Sequence, residues 1–195
     1  MTRTRLLAVF APILVLISAC GINSVPTAEE NAKARWADVQ SDYQRRADLI
    51  PNLVETVRAA SAQERNVLRE VTEARASASR IQVTGEQLTD PAAMARFAEA
   101  QSRITISLQR LQEAYPELRS NQNYETLLHQ LEGTENRVAR SRERYNQAVQ
   151  EYNTLIRTFP SSIGASVIHG AEAMVPYQAD AEAQRAPRVD FGNGS

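Results

Sequence analysis

The stretch WADVQSDYQRRADLIPNLVETV, Trp36 to Val57, carries the reading of the fold. Positions seven apart are Trp36, Tyr43, Ile50 and Val57, and the same line runs on through Glu64 to Val71. An intervening line reads Val39, Arg46, Leu53, Ala60, Val67, Ala74. The residues between are mainly charged. An apolar seam of period 3.5 with polar flanks is the pattern of an α-helix that packs along one edge. The seam predicts a first helix from about Ala28 to Arg80. A straight helix of about 50 residues would measure ~75 Å. Pro51 lies inside it, removes one backbone donor and is expected to kink it, unless Asp48 caps a new helix there.

Outward from that stretch the same periodicity recurs twice. Asp90-Pro91 is an N-cap followed by proline at the first helical position. The second seam then runs Met94, Phe97, Gln101, Ile104, Leu108, Leu111, Tyr115, and Pro116 stops it. Asn121 is placed to cap a third helix with Tyr124, Leu131, Val138, Tyr145, Tyr152 and Phe159 on one line. Its partner line is Leu128, Glu135, Arg142, Val149, Ile156, and Pro160 closes it. Ile163 to His169 has room for one or two further helical turns. No alternation of period two persists, and short connections make sequential helices antiparallel neighbours. The expected fold is therefore all-α: an elongated antiparallel up-down-up bundle of three long helices over residues 28–170, with that short C-terminal helix as a fourth element. Residues 171–195 are expected to form a flexible tail, since from Ala179 onward apolar content is low.

The N-terminus specifies an address. Arg3 and Arg5 precede an apolar run from Leu6 to Ile17, broken only by Pro12. At about 12 residues the run is shorter than the ~20 needed to span a bilayer, so it reads as a signal sequence over residues 1–19. Ile17-Ser18-Ala19-Cys20 resembles the bacterial lipobox, in which the cysteine is acylated and becomes the new N-terminus. The alternative is an ordinary signal peptide with an incidental cysteine. Cys20 is the chain's single cysteine, so coincidence at that position is a poor explanation. Residues 20–27 would then be the lipidated cysteine and a short tether. The expected partners are the membrane, through this N-terminal lipid anchor, and unidentified envelope proteins. Gly21 in place of Asp resembles an outer-membrane sorting signal, which slightly favours that membrane, with the helical domain in the periplasm.

Composition narrows the function. With 23 acidic and 22 basic residues, formal charge -1, there is no basic block to hold nucleic acid by its phosphates. Loss of Cys20 to a lipid leaves no thiol for disulfides, metal or nucleophilic chemistry. His129 and His169 stand without a second ligand at metal spacing, and no nucleophile elbow or Gly-rich phosphate loop occurs. No enzyme, metal or cofactor is expected. Each seam carries a polar interruption: Glu64, Gln101, and the pair Glu135 and Arg142. These form a candidate polar layer in mid-bundle, read first as a register device. Exposure through an imperfect seam assignment and a ligand or ion site are the alternatives. Arg137, Arg140, Arg142 and Arg144 read as a solvated face diluted by Glu neighbours, with anionic headgroups or an acidic partner as competitors.

Several segments carry a family resemblance: Gln44 to Val54 (QRRADLIPNLV), Thr72 to Ala76 (TEARA), Tyr115 to Asn121 (YPELRSN), Leu131 to Arg137 (LEGTENR), and Tyr145-Asn146 through Tyr152 to Arg157 (YNTLIR). In this order they resemble the LemA family of bacterial envelope proteins. The resemblance implies an antiparallel bundle of long helices, tethered by an N-terminal hydrophobic segment with the domain outside the cytoplasm. It implies no general activity. Similarity of some relatives to magnetosome-membrane proteins suggests membrane organisation. This chain departs from the family in its lipobox-like cysteine, and its tail drifts after Pro176-Tyr177. The expected function is a non-catalytic, membrane-anchored envelope scaffold or adaptor. The alternative is a carrier of a small ligand or lipid in a cleft between helices, which would need a pocket of roughly 300 Å³. Partner contacts are expected near Ile50-Pro51-Asn52 or along Ile163 to Ile168.

Overall fold

A computed structural model describes residues 23–60 and 65–178. The expected signal sequence over residues 1–19, Cys20, Glu64 and the chain beyond residue 178 lie outside the described residues. Five helices follow in order: α1 (Ser24–Ala60), α2 (Arg65–Ala78), α3 (Pro91–Ala114), α4 (Gln122–Leu155) and α5 (Ser161–Val167). Short 3₁₀ turns at Gly85–Thr89 and Pro116–Ser120 precede α3 and α4. The described residues are all-helical, with no strand, in an up-down arrangement.

The local chemistry places the ends. Asn121 Oδ1 accepts hydrogen bonds from the N–H groups of Asn123 (3.0 Å) and Tyr124 (3.2 Å), capping α4. Pro91 opens α3, where its missing N–H costs nothing. All seven positions of the seam expected on α3, Met94 to Tyr115, are buried. Burying one such large apolar side chain contributes about 1.5–3 kcal/mol.

The first helix departs from expectation. It is two helices, α1 and α2, and α2 turns back: Arg75 Nε donates to the backbone carbonyl of Ala47 at 2.8 Å. The buried positions on α2 are Leu68, Val71 and Ala78, so the phase slips from the expected Val67 to Leu68. A repeat that suits one long helix equally suits two helices folded edge to edge, because both need a continuous apolar line. Pro51 lies within α1, which continues through it to Ala60.

Two compact units divide the chain. One holds α1 as far as Tyr43, the segment Thr84–Pro91 and Thr134–Pro176. In it α1 and α4 run antiparallel: Trp36 meets Tyr145 (ring centroids 5.1 Å apart), and Asp42 pairs with Arg137 (4.0 Å). Its core is built on Val25, Trp36, Val39, Leu88, Val138, Tyr145 and Tyr152. Of the described residues, the other unit holds those of Gln44–Val83 and Ala92–Gly133, with Tyr177 and Gln178. There Ile50, Leu53, Val57, Val71, Ile104, Leu111 and Tyr124 pack into one cluster. An ion pair between Glu70 and Arg110 links α2 to α3.

The expected flexible tail is also shortened. Residues 171–176 form a strap without regular secondary structure in the first unit, and Tyr177, in the second, is buried. Asn153 grips the backbone of Met174 twice, Nδ2 donating to its carbonyl (2.8 Å) and Oδ1 accepting from its N–H (2.9 Å). Tyr145 donates its hydroxyl to the Val175 carbonyl (2.8 Å), and the Val175 N–H donates to the Leu88 carbonyl (2.8 Å). These bonds involve backbone groups, which no hydropathy pattern reveals.

Candidate functional site

Three places in the described chain hold chemistry beyond simple packing. The first, in the second unit, is a buried guanidinium. Arg46 lies on the α1 seam between Val39 and Leu53 and is 1% exposed. Its Nη2 donates to Gln101 Oε1 (2.8 Å) and to the Gln101 carbonyl (3.1 Å), and Nη1 donates to Thr105 Oγ1 (3.1 Å). A charge taken out of water needs such partners to be tolerated. Gln101 was read from the sequence as a polar interruption. Arg46, its partner, sat on the quoted seam without being recognised, although a cation on an apolar line is itself the signal.

Beside it lies the proline clasp. Proline cannot donate to the carbonyl four residues earlier, so Pro51 leaves the Ala47 carbonyl without a helix partner. The acceptor is taken by Arg75 Nε, from the returning α2. Both halves of the clasp fall within segments that carry the family resemblance, QRRADLIPNLV and TEARA. The bond thus gives the carbonyl that Pro51 leaves open a partner from another helix.

The remaining layer residues are placed as follows. Gln101 belongs to the second unit, whereas Glu135 and Arg142 belong to the first. On α4 both are half-buried, and the buried positions go to their neighbours Thr134 (1% exposed) and Ser141 (5%). Ser141 keeps its hydroxyl satisfied within the helix, donating to the Val138 carbonyl at 3.1 Å. Glu64 lies outside the described residues.

The third place, in the first unit, is an open groove of about 370 Å³ lined by Asn31, Arg35, Arg144, Gln147, Ala148 and Glu151. Five of its six side chains are polar. Its volume would admit a small ligand, but its lining is unsuited to an acyl chain. No Asp, Glu or His is buried among the described residues, and no group of three or more His, Cys, Asp or Glu is set to hold a metal ion. No helix among them is long and apolar enough to cross a membrane.

The perturbed acids are tyrosines. Burial pushes the Tyr145 phenol well above its usual range, and burial, helped by the Glu29 carboxylate, raises Tyr152. Each stays protonated in the folded chain at pH values where the unfolded chain ionises. Stability is therefore full below about pH 10 and falls above it, by up to about 1.4 kcal/mol per pH unit for Tyr145 and in the same direction for Tyr152. Urea midpoints compared at about pH 9 and about pH 11 test this, with a clearly lower midpoint expected at the higher pH. Tyr145→Phe should make that fall shallower while lowering the baseline through loss of the Val175 bond.

The expected contact regions differ in exposure. Ile50 is buried (1% exposed), leaving Pro51 and Asn52 at the surface, whereas Ile163 (57%) and Ile168 (58%) stand exposed. A search of curated proteins finds no match to the chain. The LemA family profile matches residues 35–191, most of the chain. That span takes in the buried Arg46–Gln101 contact, the proline clasp and the strap, and the chain belongs to the LemA family.

Proposed function

We propose that this LemA-family protein is a non-catalytic envelope scaffold or adaptor, held to the membrane by a lipid on Cys20 with its helices in the periplasm. The outer membrane is the favoured site because Gly21 follows the cysteine. The observation that carries the reading is the filling of the seams. Side chains of α1, α2, α3 and α4 occupy the space between the helices, from Leu53 and Val71 to Ile104 and Tyr124. Acid–base chemistry uses carboxylates or imidazoles whose pKa a dry site has shifted. The buried titratable groups here are instead an arginine fixed by Gln101 and tyrosines that pack. The polar lining of the groove beside Arg35 and Arg144 gives no support to carriage of lipid.

Proximity labelling from the mature protein in living envelopes tests the scaffold. A reproducible set of envelope neighbours is expected, and none above background would overturn the reading. The anchor is tested separately. Metabolic labelling with a fatty-acid analogue should mark the wild-type chain and disappear in Cys20→Ala, and persistence of the label in that variant would refute lipidation at this residue.

A further inference from the structure

The large apolar side chains that stand exposed among the described residues are Phe159 (72%), Ile163 (57%), Val167 (77%), Ile168 (58%) and, marginally, Ile106 (38%). Four of the five fall within ten residues at the end of α4 and along α5. The short helix is amphipathic with its faces clearly divided. Ser161 and Ala165, four apart, are buried, while Ile163 and Val167, also four apart, face outward with Ile168 beside them. Exposed apolar groups that cluster in this way mark a surface that something else covers.

The register of the first unit locates the cluster relative to the N-terminus. Trp36 meets Tyr145, Asp42 meets Arg137, and the Glu29 carboxylate is close enough to raise the Tyr152 phenol. These antiparallel pairs sum to about 180, which sets Ser24, the first residue of α1, level with the end of α4 at Ile156 and Arg157. Cys20 precedes Ser24 by four residues, a reach of at most about 14 Å. A bilayer that received an acyl chain at Cys20 would therefore lie within reach of Phe159 and α5.

The chemistry of the segment suits a lipid surface. Tyr152 to Ala171 contains no carboxylate and carries Arg157 and His169, with Glu151 and Glu172 just outside. Two of its hydroxyls are bonded within their own turns: Thr158 donates to the Thr154 carbonyl (2.7 Å) and Ser166 to the Ser162 carbonyl (3.0 Å). Those two can enter the headgroup region without losing their partners. We infer that Phe159, Ile163, Val167 and Ile168 are a second membrane contact, seated in the headgroup–acyl boundary of the bilayer that holds the anchor. A lipid on Cys20 fixes only one end of the chain to the bilayer, and an added apolar contact orients the helices on the surface. This inference rests on the anchor reading for its geometry.

The test uses the full-length protein purified from envelopes and reconstituted into phosphatidylethanolamine–phosphatidylglycerol vesicles containing brominated acyl chains. Phe159→Trp places a reporter at an exposed position, and the buried Trp36 of the parent is the reference. Emission at position 159 is expected to shift to the blue and be quenched about twofold, with Trp36 unchanged. Ile163→Trp repeats the measurement at a second exposed site should the first perturb folding. The mass of the N-terminal peptide reports acylation independently. Acylated protein without quenching overturns the membrane contact and leaves the anchor standing. Quenching on unacylated protein sustains the contact and removes the anchor, and the absence of both removes both. A blue shift that depends on protein concentration and ignores bromine assigns the patch to a second copy of the chain, and overturns the inference.

Discussion

Arg46→Ala is expected to destabilise the second unit by about 3–5 kcal/mol, the range for removing one partner from a buried charged network. The guanidinium is 1% exposed, and its removal takes the donor from the buried Gln101 side-chain oxygen (2.8 Å) and from Thr105 Oγ1 (3.1 Å). It also leaves a cavity where the buried side chain stood, which packing relieves only in part. Urea unfolding followed by helical circular dichroism measures the loss as a fall in midpoint. Arg46→Lys should recover little, because a point charge cannot reproduce the fork that reaches Gln101 and Thr105 together. Arg46→Met combined with Gln101→Leu should recover most of it, since replacing a whole polar cluster by apolar groups of similar volume removes the stranded acceptors. If Arg46→Ala unfolds at the wild-type midpoint, the network contributes nothing to stability.

The proline clasp yields the next largest effect. Arg75→Ala should cost about 1.5–3 kcal/mol, the value of a hydrogen bond made by a charged donor to an otherwise unpaired carbonyl. The decisive measurement is a double-mutant cycle with Pro51→Ala. Alanine at 51 supplies the missing N–H, and the Ala47 carbonyl then has a partner inside α1. In that background Arg75→Ala should cost clearly less, a coupling of about 1–2 kcal/mol between residues of different helices. Purely additive losses would show that the bond from Arg75 Nε to Ala47, although 2.8 Å long, does not substitute for the one that proline removes.

Much of this was legible in the sequence, and the failures have physical causes. On α3 the alternating three- and four-residue spacing forced Met94, Phe97, Gln101, Ile104, Leu108, Leu111 and Tyr115 onto one face, and that face is buried throughout. The start of α4 followed from Asn121, whose side chain caps it. The division between α1 and α2 was not legible, because Val57 and Val71 keep the heptad phase across the break. On the partner line of α4, Val149 is buried as expected, whereas at Glu135 and Arg142 the buried position falls one residue earlier. Small hydroxyl residues such as Thr134 and Ser141 look like surface in a hydropathy pattern, yet both are buried, Ser141 with its hydroxyl bonded to its own helix. The strap escaped for a different reason, since a side-chain amide bonded to a main chain leaves no periodic trace.

That strap has a consequence for how the protein can diverge. Asn153 measures distance along the chain and is indifferent to the letter it holds, because it bonds only the peptide group of Met174. Descendants are thus free to respell positions 172 and 173, while inserting or deleting a single residue ahead of Met174 would offer Asn153, Tyr145 and Leu88 the wrong peptide all at once.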